Sequence, residues 1–241
     1  MDNIFTLYGI VDILLSKRKR LYCGFLDYEK AFDKIDRAML WHKIIQENIC
    51  GKMITLIKNM YDDAKSCVMV NDNISDLFSV EVGVRQGENL SPVLFSLFLN
   101  DMNTFLNDKM EGLHTISKEM SLNFLNYIDI HMYMKDSAVF DNPYDDVNVF
   151  LKLFVLLYAD DTIIFAETAK GLQKGLTSVK QYCDIWKLKL NAAKCKVMIF
   201  SRGIVRKYPN FHIGDNVIEV VRDFMYLGIK LNYNNRFNVA Q

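Results

Sequence analysis

Two apolar runs of β-type composition, residues 151–158 and 162–166, face each other across Asp160-Asp161. Runs of this length around an acidic pair read as a hairpin. Phe154-Val155-Leu156-Leu157 offers no polar side chain for solvent, so the strand that contains it belongs in the core. The fold therefore needs a sheet that carries two neighbouring carboxylates at the tip of a buried hairpin. Acids held that close repel each other and shift their pKa values unless a cation or a proton relieves them. An isolated Asp-Asp pair equally suits a solvated turn, so the rest of the chain has to decide.

Upstream, Ile4, Leu7, Tyr8, Val11, Leu14 and Leu15 recur at helical spacing and predict an opening amphipathic helix. Lys17-Arg18-Lys19-Arg20 follows, and residues 21–26 read as a short buried strand ending at Asp27. Asp36 suits the N-cap of a helix running to Asn48, with Gly51 as a stop before a second helix over 52–61. Strand-like stretches at 66–70 and 77–82 lead into Gly83-Val84-Arg85-Gln86-Gly87. Ser91-Pro92 opens a helix to about Phe105, with proline at its favoured first position. Residues 107–150 are polar and aperiodic, and too long for an ordinary loop, which marks a variable insertion. A helix over 169–186 and strands over 196–200, 217–220 and 224–231 complete the order. That order suits an α+β sheet of split βαβ character.

Asp27 closes an apolar strand within Phe25-Leu26-Asp27-Tyr28-Glu29-Lys30-Ala31-Phe32-Asp33. Taken alone it suits a helix N-cap, with Asp33 simply at the surface. If its strand neighbours the hairpin, Asp27 converges with Asp160 and Asp161. Three carboxylates on rigid strands supply the oxygen ligands that Mg²⁺ requires, with substrate phosphates filling the remaining positions. A pair of such ions serves phosphoryl transfer. The glycines around Arg85-Gln86 let backbone approach a ligand closely, although an ordinary strand-to-helix loop has the same composition. No Walker or dinucleotide-binding glycine pattern, HExxH helix or G-x-S-x-G elbow is present.

FLDYEKAFD, GVRQGENLSPVLFSLFLND, LLYADD, LKLNAAKCK and YLGIKL, in this order, resemble motifs A to E of reverse transcriptases, above all those of non-long-terminal-repeat (LINE-like) retrotransposons. The resemblance runs from about Asp2 to Leu231 as one partial reverse transcriptase domain over 1–241. Its motifs fall near 21–33, 83–101, 154–166, 187–200 and 224–231, with 107–150 matching weakly. It implies a polymerase palm, a ferredoxin-like sheet with helices on one face. Partial fingers accompany it, without a complete thumb, since only about ten residues follow motif E, too few by ordinary helix sizes. The implied activity is RNA-directed DNA synthesis from dNTPs on an RNA template and a DNA primer, with two Mg²⁺ ions or Mn²⁺ in their place. A catalytically inert, truncated remnant of such an element is the alternative. No endonuclease module or Cys/His knuckle is visible.

By position, the resemblance makes Asp27 and Asp160 the principal metal ligands and Asp161 the third carboxylate. Phe32 matches the aromatic gate that selects dNTP over NTP, and a core phenylalanine on a helix would have the same spacing. Arg85, Gln86 and Gly87 would line the template and incoming-nucleotide pocket. Lys194 matches a lysine that protonates the leaving pyrophosphate, and otherwise reads as an exposed strand-edge lysine. Tyr226-Leu227-Gly228 would belong to the primer grip, and Tyr158 would pack near the primer terminus. Motif D carries Lys194-Cys195 where relatives often have Lys-Thr. A palm nucleotidyltransferase or cyclase of another lineage also uses metal-binding acids but is not expected to carry Arg85-Gln86-Gly87 with Ser91-Pro92. A pure interaction module predicts no divalent-ion dependence.

Composition adds bounds. The chain has 241 residues, 51% hydrophobic, with 29 basic and 29 acidic side chains. The balance hides a split: 16 basic and 25 acidic residues up to 167, and 13 and 4 beyond it, net −9 and +9. The basic part holds motifs D and E, where lysines and arginines suit nucleic-acid phosphates. Five cysteines without ligand spacing argue against a disulfide framework or zinc site and for a reducing compartment. No signal peptide and no apolar run near the ~18 residues of a membrane span are present. The expectation is an intracellular protein, nuclear or cytoplasmic in a ribonucleoprotein.

Overall fold

The structure, a computed structural model, describes residues 2–107, 109–110, 155–158, 161–203, 205, 207–234 and 238–239. Asp160 and nearly all of the expected insertion lie outside the described residues.

The first helix, α1 (Asp2–Ser16), leads into β1 (Leu21–Leu26), whose positions are buried except for half-buried Tyr22. Strand β6 (Val155–Tyr158) pairs antiparallel with β7 (Asp161–Ala166), as the expected hairpin requires. Helix α6 (Ala169–Ile185) follows, then β8 (Lys196–Phe200), β9 (Phe211–Ile213) and β10 (Asn216–Val221). These strands form one sheet in the order β6-β7-β1-β8-β10-β9. Strand β1 is antiparallel to both neighbours, with Leu26 opposite Thr162 and Phe25 opposite Lys196. Strand β8 pairs in parallel with β10.

Alternation sorts the central strands onto two faces. Leu21, Cys23 and Phe25 of β1 join Ile163, Phe165, Met198 and Phe200 in a core covered by Leu7, Ile10, Val11 and Leu14 of α1. Leu26, Ile164, Ala166, Val197 and Ile199 face a second core. Helices α2 (Arg37–Gln46), α3 (Gly51–Asp62), α4 (Leu90–Leu99), α5 (Met102–Asn107) and α6 contribute to it. The expectation of helices on one face alone is thus corrected. The period of α1 gives it an apolar stripe, and the odd-numbered side chains of β1 supply the apolar surface that receives it.

Asp36 caps α2 as expected, accepting from the Met39 N–H at 3.2 Å. Three other readings change. Helix α4 begins at Leu90, so Pro92 is its third residue, and the helix gives way to α5 at Asn100-Asp101. The 66–70 and 77–82 stretches yield only two-residue ladders, β2 (Lys65–Ser66) with β5 (Phe78–Ser79) and β3 (Met69–Val70) with β4 (Asn73–Ile74). All eight of their residues are exposed. The run 224–231 is a hairpin of β11 (Asp223–Tyr226) and β12 (Ile229–Asn232), with β13 (Asn238–Val239) added to its edge. No helix of the described residues is long and apolar enough to cross a membrane. All five cysteines are free thiols, in keeping with the absence of a disulfide framework.

The second core contains a lysine. Lys43 of α2, 3% exposed, donates to the Phe98 carbonyl and to the Tyr182 hydroxyl, each at 2.5 Å, and pairs with Asp101. Its ammonium lies 3.8 Å from the Trp186 ring centroid. Burial pulls the Lys43 pKa down, and Asp101 opposes that shift. This node ties α2 to the α4–α5 junction and to α6. Asp101 is 45% exposed, so loss of the ammonium leaves that carboxylate able to reach water. Lys43→Met, which keeps the stem among the rings, is therefore expected to cost within about 1 kcal/mol. Lys43→Ala, which empties the cage, is expected to cost roughly 2–4 kcal/mol in urea unfolding. Equal losses would show that the charge, not the stem, holds the node.

Candidate active site

Asp27 follows the last residue of β1 and Asp161 opens β7, one position beyond the Leu26–Thr162 pair. Neighbouring antiparallel strands therefore deliver both carboxylates to one end of the sheet. They line a cavity of about 430 Å³ together with Lys194, Lys196, Phe224 and Tyr226. Asp160 lies outside the described residues. Tyr158 is described only in its backbone, which pairs with Asp161.

The chain beyond β1 is held by the loop between α6 and β8. The Glu29 N–H donates to the Lys189 carbonyl at 2.7 Å, and the Asn191 N–H to the Asp27 carbonyl at 2.8 Å. The Asp27 N–H in turn donates to Cys195 Sγ at 3.4 Å. This pairing brings Lys194 Nζ to 3.8 Å from Asp27 Oδ2. Burial pushes the Cys195 thiol up to about 11, so the sulfur is a neutral packing group beside Asp27 at ordinary pH. The Tyr28 hydroxyl lies 3.3 Å from Thr162 Oγ1, a further tie between the two strand ends.

The Tyr226 and Phe224 rings pack on Phe25, with centroids 5.7 and 4.6 Å away, which seats the β11–β12 hairpin at the cavity. Its turn, Leu227-Gly228, carries φ values of 47° and 78°. A leucine in the left-handed region is a genuine conformational outlier. Neither turn residue lines the cavity. Spacing in the sequence does not single out Lys196 or Phe224. Lys196 begins β8, the neighbour of β1 on the side away from β7, and that adjacency was the available signal.

The glycine loop is placed differently. Arg85 and Gln86 line a second cavity of about 470 Å³ with Asp33 and Arg37, not the one at Asp27. Arg85 donates to the Met60 carbonyl at 2.7 Å and pairs with Glu88 at 2.9 Å, and Gln86 donates to Asp33 Oδ1 at 2.8 Å. Gly87 has φ +84° with open space where a side chain would start. Phe32 is half-buried, its ring 5.2 Å from that of Phe95. The two segments dock through backbone: the Gly83 N–H donates to Ile35 O at 2.9 Å and the Val84 N–H to Phe32 O at 2.7 Å. Arg37, which no motif singles out, donates to the carbonyls of Gly83, Tyr61 and Val80 at 2.7–3.0 Å.

Among the described residues, no group of three or more His, Cys, Asp or Glu is placed to hold a metal ion. Two carboxylates share the cavity, and oxygen donors of this kind fit a hard divalent cation whose other positions are filled by substrate oxygens.

Two consequences are testable. A Cβ on Gly83 would lie 2.6 Å from the Asp33 carbonyl oxygen, at φ +78°. Gly83→Ala is therefore expected to destabilise by about 2–3 kcal/mol or more in urea unfolding, because both the backbone and the docking must give way. Lys189 and Lys34 each hold Glu29 at 2.7 Å and bring its pKa to about 2. The folded value lies below the unfolded one, so the stabilisation is complete above the ordinary glutamate range and vanishes as pH falls towards about 2. The melting-temperature gap between the wild type and Glu29→Gln should be largest near neutrality and close by about pH 2. Added salt should narrow it at every pH, because these pairs are exposed.

Comparison with known proteins identifies the family. The family described as "Reverse transcriptase (RNA-dependent DNA polymerase)" matches residues 2–231. The Pol polyprotein of the type-2 retrotransposable element R2DM of Drosophila melanogaster is 26% identical over 94% of this chain and 19% of its own length. The RNA-directed DNA polymerase from the mobile element jockey of Drosophila funebris is 26% identical over 96% of this chain and 22% of its own length. The chain thus spans about a fifth of these relatives. Apo telomerase of Candida tropicalis superposes with a TM-score of 0.57 at 13% identity, covering 99% of this chain and 36% of that one, a likeness of fold. With its family signature running from the first helix through the β11–β12 hairpin, the chain belongs to the reverse transcriptase family.

Proposed function

We propose that the described residues form the palm and part of the fingers of an RNA-directed DNA polymerase that extends a primer 3′-hydroxyl with dNTPs on an RNA template. The observation that supports this most strongly is the delivery of Asp27 and Asp161, by adjacent strands, to one cavity that also receives Lys194. Asp27 and Asp161, with Asp160, are the residues that would hold Mg²⁺ or Mn²⁺. When bound, such ions polarise the attacking and leaving oxygens of an in-line displacement.

The chain's own groups do the rest. In the transfer, the primer 3′-hydroxyl gives up its proton to water as its oxygen forms a bond to the α-phosphorus, the bond to pyrophosphate breaks, and the pyrophosphate takes a proton. Lys194 is suited to supply that proton because its side chain is 70% exposed and reaches the carboxylate cavity. Phe32, whose ring is braced on Phe95, is the residue that would reject a 2′-hydroxyl. Arg85 and Gln86, in the second cavity, suit the template side of the incoming base pair. The rings of Phe224 and Tyr226 give the primer end a firm wall.

Mn²⁺ is expected to raise the melting temperature of the wild type, and Asp27→Asn is expected to remove most of that shift. On an RNA template with a DNA primer, Asp27→Asn should lower extension by at least two orders of magnitude, the scale of losing a group that acts in the transition state. Wild-type extension by a folded Asp27→Asn protein, or no Mn²⁺ shift in either protein, would overturn the assignment.

A further inference from the structure

The end of the sheet remote from the carboxylates carries a second feature. Leu21 pairs with Phe200, so the chain entering β1 and the chain leaving β8 run side by side there. Arg18, Lys19 and Arg20 from the first segment, and Arg202 from the second, line a cavity of about 270 Å³ with Ser201 and Gly203. No acidic or apolar residue is among its lining residues. All four cationic side chains are exposed. Asp27 lies beyond the other end of β1, six residues and roughly 20 Å away at the usual strand rise.

A basic run after a helix has a local explanation, since the carbonyl end of a helix attracts cations. That accounts neither for Arg202, which arrives from another strand, nor for the backbone of Arg18. Arg18 has φ +56° at the end of α1, where the Lys19 N–H donates to the Leu14 carbonyl at 2.8 Å. Glycine is the usual occupant of such a helix terminus, and here an arginine occupies it. Lys19 is neutralised by Glu167 at 2.8 Å. Among the described residues, Arg18, Arg20 and Arg202 have no ion-pair partner. The loop that presents Arg202 is fixed: buried Ser201 donates its N–H to the Tyr233 carbonyl at 3.0 Å and its Oγ to the Gly203 carbonyl at 2.6 Å.

The cations also continue beyond the cavity. The Tyr233 N–H donates to the Arg222 carbonyl at 3.0 Å, so exposed Arg222 is joined to the Ser201 loop through Tyr233 by two backbone hydrogen bonds. Cations spaced along a track match the repeated charges of a phosphodiester backbone better than a single small anion. Guanidinium groups are also suited to gripping phosphate oxygens in pairs. A membrane surface would be met by apolar side chains beside the cations, and the cavity offers none.

We propose that Arg18, Arg20 and Arg202 form a second nucleic-acid surface that holds the backbone of an RNA strand at the end of the sheet remote from Asp27. The surface rests on the family's use of RNA and on this geometry, and not on chemistry at the carboxylates. Its failure is therefore separable from failure of the polymerase assignment.

The test is fluorescence anisotropy of a labelled single-stranded RNA of about 20 nucleotides with the full chain, over about 50 to 200 mM KCl. The variant Arg18→Gly/Arg20→Gln/Arg202→Gln removes three charges while giving position 18 the residue its backbone favours, and its melting temperature reports the fold directly. It is expected to bind at least tenfold more weakly, with the slope of log K against log salt reduced by about 2 to 3. Asp27→Asn, which alters only the carboxylate cavity, should not reproduce that loss. Unchanged affinity and slope in the folded triple variant would overturn the proposal. So would loss of binding to phosphatidylserine vesicles with RNA binding intact, which would assign the arginines to a membrane.

Discussion

Everything at the carboxylate cavity depends on β1 being hydrogen-bonded along both edges while packed on both faces. Its register with β7 and β8 decides that Asp27 and Asp161 leave the sheet at the same end. A one-residue slip would exchange the faces of the strand. Phe25 would then turn from the α1 side towards the helices that Gly24 now meets. A Cβ at Gly24 would already lie 3.4 Å from both Leu172 and Leu176. The two cores therefore police the register together, and the position of two charged groups follows from the packing of apolar ones.

The loops around the site are fixed by a different means. Residues beyond β1 borrow hydrogen-bond partners from 189–191, and the glycine loop borrows them from 32–35. Side chains then stitch across: Arg37 gathers four carbonyls from two segments, and Lys43 gathers a carbonyl, a hydroxyl and a carboxylate from two others. Both use a cation to satisfy buried or half-buried acceptors that regular secondary structure leaves over. In this chain the helices are joined to one another and to the 80–83 loop by such nodes as well as by apolar contact.

What the sequence made legible follows from this division. Strand β1, the β6–β7 hairpin and α6 could be read because each is a clear apolar pattern bounded by polar residues. The convergence of Asp27 with Asp161 could be read because it needs only strand adjacency. Long-range nodes could not: nothing near Arg37 or Lys43 in the sequence names the carbonyls they reach, 24 to 55 residues away. The run 224–231 misled because Leu227 looks like a strand residue and in fact sits in a turn at φ 47°. Valines and a phenylalanine between 66 and 82 promised full strands, yet only short, exposed ladders form there. Arg85 and Gln86 were read from the resemblance as lining the nucleotide pocket, and they line a cavity with Asp33 and Arg37 that does not include Asp27.

The charge split of the sequence also acquires a structural meaning. Three lysines of the basic part close onto three acids of the acidic part around the end of β1: Lys187 on Asp36, Lys189 on Glu29 and Lys194 near Asp27. Exposed pairs of this kind are screened by water and contribute little to stability, so they do not hold the fold together. Their effect is positional. They draw the α6–β8 loop over the strand end and set a cation against the carboxylate that most needs one. Lys194 is the loosest of the three, at 3.8 Å and 70% exposed, so its ammonium can leave Asp27 for an anion entering the cavity. Three cations of the positive half are thus engaged with the negative half near Asp27. The guanidinium groups of Arg18, Arg20 and Arg202, with no such partners among the described residues, lie where the sheet ends on the other side.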